Sequence, residues 1–167
     1  MDINKQIIEK LLEYRNYRII ERTDNKFIAQ NNDKFLLVIF SSHSNLNIDN
    51  IKEYLSILHS LSFNHSIIVY NKSITSAAKK IIKHAKIHKI IVEVFQSNKL
   101  VDISVHRLFR PHKKITGDEE KEIRKQYGSK LPKILTSDAM VRWYGFEKDD
   151  ILCITRKDGH ITYRLVE

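Results

Sequence analysis

One cysteine, two prolines and four glycines are all that the 167-residue chain holds of these types. The single thiol, Cys153, makes neither an internal disulfide nor a cysteine zinc site, which fits a reducing compartment. So little glycine and proline excludes collagen-like and linker-rich designs. The glycines at 117, 128, 145 and 159 are dispersed, so no Walker or dinucleotide loop is present to cradle a phosphate. The longest apolar runs, Phe35–Phe40 and Ile67–Tyr70, fall far short of the ~20 residues a membrane span needs. Met1–Glu9 alternates charge with isoleucine and has no apolar signal core, which argues against secretion.

What is present is a soluble composition, 42% apolar and 29% charged, with a net charge of +9. The basic excess is even: 14 basic against 9 acidic residues in 1–98, and 15 against 11 in 99–167. An even excess suits work near nucleic acid and equally a solvated lysine-rich surface. Twenty-five isoleucines, twenty lysines and eleven asparagines point to an AT-rich coding sequence, such as that of a large DNA virus or a parasite.

Apolar periodicity predicts an α/β layer over residues 1–97. Asp2 caps a helix to Tyr14. Lys26–Gln30 and Lys34–Phe40 form a hairpin about Asn31-Asn32-Asp33. Ser41–Asn47 reads as loop. Ile48 to Leu61 is a helical stripe, and Ser66–Tyr70 and Lys89–Phe95 are strands. Thr75–Ala85 is a helix with Ala77, Ala78, Ile81, Ile82 and Ala85 inward. A boundary falls near Gln96–Lys99. Residues 98–167 read as a small mixed sheet with helices, so the chain is α+β overall. Leu100–Leu108 alternates like a half-exposed strand. Thr116-Gly117-Asp118-Glu119 reads as a capping box, and Gly128 as a left-handed stop after Tyr127. Asp138–Tyr144 is a short helix closed by Gly145. Ile151–Thr155 and His160–Leu165 are strands about an Asp-Gly turn.

Catalytic patterns are missing. His84 and His88 lack an intervening glutamate and a third ligand, so they read as surface histidines rather than a zinc pair. Cys153 lies mid-strand, and Ser41, Ser42 and Ser44 lie in a loop, so no nucleophilic triad is built. A metal-dependent nuclease needs clustered carboxylates on adjacent strands, and Lys89–Phe95 offers Glu93 alone. A helix-turn-helix lacks its turn glycine and partner helix. We therefore expect no cofactor, metal or small-molecule substrate.

The last seventy residues carry an ordered set of motifs. These are Lys99–Leu108, with its His106-Arg107-Leu108; Lys130-Leu131-Pro132-Lys133-Ile134; Ser137-Asp138-Ala139-Met140-Val141-Arg142-Trp143-Tyr144-Gly145; Ile151–Arg156; and Ile161–Val166, with its Tyr163-Arg164. Together they resemble the fifth common subunit of eukaryotic nuclear RNA polymerases and its smaller archaeal RNA polymerase equivalent. Lys34–Phe40, Ile51–Tyr54, Ile67–Val69, Ile74–Lys79 and Val94–Gln96 extend the resemblance into that family's N-terminal jaw domain. The chain departs from the pattern at Ala139, which replaces a proline, at Pro111, displaced by one place, and at Asp149, which replaces a turn glycine.

The resemblance implies a jaw-like domain at 1–97 and an assembly domain at 98–167. It further implies a non-catalytic subunit of a DNA-directed RNA polymerase that docks on the largest subunit and neighbouring small subunits, close to downstream duplex DNA. Its place would be the nucleus, or a cytoplasmic viral factory or virion for a viral source. On this footing the partner-binding residues are Leu131, Pro132, Ile134, Asp138, Arg142, Trp143, Tyr144, Gly145, Arg156, Tyr163 and Arg164. The aromatics Trp143, Tyr144 and Phe146 suit interface hot spots and equally a small core. Lys79, Lys83 and Lys86 share one helix face and suit non-specific phosphate contact. The alternative is a stand-alone nucleic-acid-binding or nuclease-like α/β protein.

Overall fold

The computed structural model describes residues 2–167; Met1, at the start of the expected jaw-like domain, lies outside them. The fold is α+β, and the chain divides into two compact units, Met1–Val101 and Asp102–Glu167.

The N-terminal unit is a five-stranded mixed sheet. Strand β1 (Arg18–Arg22) pairs antiparallel with β2 (Lys26–Asn31), and β2 pairs antiparallel with β3 (Lys34–Phe40). Asn32, at φ 51°, turns the β2–β3 hairpin, a conformation asparagine tolerates better than most residues. Beyond β3 the sheet is parallel: β3 pairs with β5 (His65–Tyr70) and β5 with β7 (Ile91–Gln96). Helices α2 (Ile48–Ser60) and α3 (Ser76–Ile87) make the two crossovers that parallel pairing requires. Each begins at a side-chain cap, Asn47 on the Asn50 amide and Thr75 on the Ala78 amide.

Period-two alternation divides the buried strand residues between the faces. Ile28, Leu37, Ile39 and Ile68 pack with Ile51, Tyr54, Leu58 and Ala78 of α2 and α3. Phe27, Ala29, Leu36, Val38 and Ile67 line the other face and are equally buried. Helix α1 (Ile3–Tyr14), capped by Asp2, belongs to that second face, because Arg15 at its C-terminus bonds Glu93 there. Two expectations change. Residues Asn45–Leu46 (β4) pair with Ser73–Ile74 (β6), because Leu46 is drawn into the core. Ala77 is exposed: α3 turns its Ala78–Ala85 stripe inward, and residue 77 lies off that stripe.

The C-terminal unit is a four-stranded sheet in the order β8 (His112–Lys114), β10 (Ile151–Thr155), β11 (Ile161–Val166), β9 (Lys133–Ile134). Helix α4 (Asp118–Tyr127) lies over one face, where Ile123 packs with Ile115, Leu131 and Ile151. Helix α5 (Ala139–Tyr144) lies over the other, where Val141 packs with Leu152, Ile154 and Val166. Three local expectations fail here. Residues Ile103–Val105 form a 3-10 turn, not a strand; Asp102 accepts the Ser104 amide at 3.0 Å, and Val105 is left exposed. Such an Asx-type bond competes with strand pairing for the same backbone. The capping box does not form: Gly117, at φ 71° and ψ −135°, is the N-cap and carries no side chain to give. Gly128 does take a positive φ of 51°, but its ψ of −130° leads into a 3-10 turn rather than a left-handed stop. Asp149 adopts φ 72°, a conformation aspartate tolerates better than most residues. No helix among the described residues is long and apolar enough to cross a membrane.

Candidate functional site

Helix α5 organises the residues expected to bind a partner. Asp138 caps it by accepting the Met140 amide at 2.8 Å, which fixes the helix start. Gly145 ends it in the left-handed conformation, φ 71° and ψ 32°, and lets the Phe146 amide reach the Val141 carbonyl at 3.0 Å. The helix end therefore separates Trp143 from the other two aromatics. Trp143 is buried, 3% exposed. Tyr144 and Phe146 are half-buried and stack on each other, ring centroids 5.2 Å apart and 12° from parallel. His112 continues the row, 6.2 Å from Tyr144. Its Nδ1 donates to the Arg110 carbonyl at 2.8 Å, and burial pushes the imidazole below its ordinary pKa range.

Strand register decides which of the other residues join this surface. Leu152 faces Arg164 and Ile154 faces Thr162 across β10–β11, so Arg164 and Thr162 lie on the α5 side. Val166 pairs with Ile134, which packs against the same cluster. Arg164 donates from Nη1 to the Lys133 carbonyl at 3.0 Å, tying β11 to β9. Tyr163 lies on the opposite side, with Tyr127 of α4 6.3 Å away. Leu131 is also on the α4 side, buried against Ile115 and Ile123. Ile134, Asp138, Trp143, Tyr144, Gly145 and Arg164 thus share the α5 face, whereas Leu131 and Tyr163 do not. Pro132 and Arg142 are exposed. Arg156 begins the β10–β11 turn, and it lines a cleft of about 450 Å³ together with Arg110 and Arg164. Arg110 carries no signal in the sequence motifs, because only the fold of β8 brings it to this cleft.

The N-terminal unit presents Lys79, Lys83 and Lys86 on α3, all exposed and at helical spacing. It also contains a buried charge cluster that the sequence did not disclose. Arg15, 4% exposed at its side chain, forks onto Glu93 at 2.6 and 2.8 Å, and His65 Nε2 lies 2.8 Å from the same carboxylate. Burial alone would push the Glu93 carboxyl up. The Arg15 charge and its hydrogen bonds, with those of His65, win and hold it at about 2. Glu93 is therefore an ion-pair partner and not a member of a carboxylate cluster. The sole signal was a lone acid within an apolar strand, which demands a counter-charge without naming it.

Cys153 is half-buried against Tyr163 and Leu165, and burial pushes its thiol up, away from the reactive thiolate. Among the described residues no group of three or more His, Cys, Asp or Glu side chains is placed to hold a metal ion. The arrangement is one of shaped surface: stacked aromatics, fixed guanidiniums and a capped short helix.

Residues 101–166 match the family model described as RNA polymerase Rpb5, C-terminal domain. A Dictyostelium discoideum protein named DNA-directed RNA polymerases I, II, and III subunit rpabc1 is 32% identical over 139 residues, which cover 78% of this chain and 71% of that one. A Caenorhabditis elegans protein named DNA-directed RNA polymerases I, II, and III subunit RPABC1 is 26% identical over 148 residues, covering 83% and 70%. An Arabidopsis thaliana protein named DNA-directed RNA polymerases IV and V subunit 5B is 34% identical over 109 residues, covering 60% and 48%.

Proposed function

Because the chain belongs to the Rpb5 family of RNA polymerase subunits, we propose that it is a non-catalytic subunit of a multisubunit DNA-directed RNA polymerase. The observation that carries this reading is the extent of the likeness to the Dictyostelium protein: 78% of the chain is more than either compact unit alone contains. Both units therefore take part in the likeness, not the C-terminal one alone. In this reading the C-terminal unit docks on the largest subunit through its α5 face, and the N-terminal unit lies toward downstream DNA. The nucleus is the place of action, or a viral factory or virion if the source is a large DNA virus.

Docking suits the α5 face for a physical reason. Tyr144 and Phe146 are rigid, half-exposed and stacked, so they offer contact area at little entropic cost. A tagged full chain expressed in its own cell is expected to co-purify with two very large polymerase subunits. Tyr144→Ala is expected to keep the melting temperature within a few degrees and to weaken that capture by about thirtyfold, the scale of one hot-spot residue. Wild-type protein that captured no large subunit would defeat the assembly reading. Full capture by Tyr144→Ala would remove this side chain from the interface.

Nearness to DNA rests on sequence-blind attraction. Replacing Lys79, Lys83 and Lys86 together by glutamine is expected to reduce the salt slope of duplex binding by about 2 to 3, close to one for each phosphate left unneutralised. An unchanged slope would mean that this face of α3 is merely solvated.

A further inference from the structure

The cleft at the β10–β11 end of the C-terminal unit has a composition that interface docking alone does not require. Its walls include Arg110, Arg156, Asp158 and Arg164, with Ile154 and Thr162 between them and Lys157 at the turn. Lysine outnumbers arginine twenty to nine in this chain, yet three of the nine arginines meet here. Arginine differs from lysine in presenting a planar fork of donors that matches a carboxylate edge to edge.

The charges in the cleft are uncompensated. Among the described residues none of Arg110, Arg156, Lys157 and Arg164 forms an ion pair with a carboxylate. Asp158 is the one acid in the wall, and its Oδ1 accepts the His160 amide at 3.0 Å within its own turn. Four cations against one anion leave a formal +3 around about 450 Å³. Two of the guanidiniums are held in place by the backbone. Arg110 Nη1 donates to the carbonyls of Phe109 and Arg107, and Arg164 Nη1 donates to that of Lys133. A guanidinium has five N–H donors, so the rest of each fork remains for a ligand, already oriented.

We propose that this cleft receives an acidic segment of a partner polymerase subunit, whose carboxylates pair with Arg110, Arg156 and Arg164 while its aliphatic carbons rest on Ile154 and Thr162. The proposal rests on the assembly reading above and adds the chemistry of the partner. The lining favours a peptide over nucleic acid. Single-stranded nucleic acid calls for an extended basic track with aromatic stacking platforms. Here the cations are gathered at one short cleft whose lining also includes Ile154 and Thr162, and no aromatic side chain lines it.

The test uses the full chain and a fluorescein-labelled peptide alternating glutamate and leucine, read by anisotropy. The same peptide with glutamine for glutamate and a single-stranded oligothymidylate serve as the other two probes. The glutamate peptide is expected to bind, to lose affinity as salt rises, and to bind at least about tenfold more weakly to Arg156→Glu. Arg156→Lys is expected to fall between the two, since it keeps the charge and loses the fork. Arg156 is exposed, so the melting temperatures of both variants should match that of the wild type. Equal binding of the glutamine peptide, no effect of Arg156→Glu, or tighter binding of the oligothymidylate that Arg156→Glu abolishes would each overturn the proposal. In parallel, tagged wild-type and Arg156→Glu chains are compared for capture of large polymerase subunits. Reduced capture by the variant supports the cleft. Equal capture overturns it and leaves the assembly reading standing, whereas a wild-type chain that captures nothing defeats that reading itself.

Discussion

Replacing Arg15 by methionine is expected to destabilise the N-terminal unit by about 3 kcal/mol or more, the cost of stranding a buried charge. In a unit of this size that lowers the melting temperature by more than about 10 °C. The reason is the position of Glu93, on the α1 face of the sheet in line with Ile67 and Val38. Its carboxylate has Arg15 and His65 for partners. Take Arg15 away and the desolvation that its charge offsets is left standing. The pH dependence gives an independent check. In the wild type the folded carboxyl sits at about 2, below its ordinary value of 4.5. A depressed folded pKa contributes stability that is present above 4.5 and lost as pH falls toward about 2; the shift is worth roughly 3 kcal/mol. In Arg15→Met burial is opposed by His65 alone, so the folded carboxyl rises from about 2 and the stability that its depression contributed above 4.5 is lost. The deficit of the variant should therefore be largest near neutrality and shrink in acid. Urea midpoints measured at neutral pH and at about pH 4 decide it: a deficit that stays constant, or grows in acid, would show that the pair does not act electrostatically. Arg15→Met combined with Glu93→Leu should recover most of the loss, because two apolar groups leave no stranded charge.

That cluster also marks where sequence reading stops. The three helices and strands β2, β3, β5 and β7 of the N-terminal unit were legible because each is set locally, by isoleucine and leucine at 3.6-residue spacing with Asp2 or Thr75 at the cap and by β-branched runs bounded by turns, whereas β1, β4 and β6 were not. The β2–β3 hairpin and the β10–β11 turn were legible for the same reason. The Arg15–His65–Glu93 cluster was not, since it joins residues 78 and 28 apart that only sheet register brings together. Residues 100–108 show the opposite failure. Val101, Ile103 and Val105 alternate like a strand, but Asp102 takes the Ser104 amide and no neighbouring strand pairs there. Alternation records which side chains are apolar; it does not supply a partner backbone. At the candidate interface, the motif spacing placed α5 and its glycine correctly, yet it could not tell that Trp143 turns inward and Tyr144 outward, or that Tyr163 and Arg164 lie on opposite faces. Adjacent positions in a strand always part in this way, so a contiguous motif such as Tyr163-Arg164 never presents both residues to one surface.

Trp143→Ala is expected to unfold the C-terminal unit and leave the N-terminal unit intact. The indole is 3% exposed, and truncating a buried aromatic to alanine costs about 3–5 kcal/mol. A unit of roughly 65 residues draws only some 3–5 kcal/mol from its core, so the loss matches the whole reserve. The consequence for function is specific. Trp143→Ala should lose capture of the large polymerase subunits as completely as any interface variant, but for a different cause, and stability separates the two. Tyr144→Ala would lose affinity with its fold preserved; Trp143→Ala would lose affinity because the α5 face no longer exists. The chain supplies its own reporter, since Trp143 is its one tryptophan. In the wild type, urea unfolding followed by tryptophan emission reads the C-terminal unit alone, with a blue-shifted starting spectrum. Trp143→Phe keeps most of the packing and should cost less than the alanine variant while retaining capture. Limited trypsin digestion of Trp143→Ala should degrade residues 102–167 first and spare the sheet of β1, β2, β3, β5 and β7. A Trp143→Ala chain that melts like the wild type and still fails to capture polymerase would place the indole in the interface itself, turned outward on docking, and would refute its role as the core of this unit.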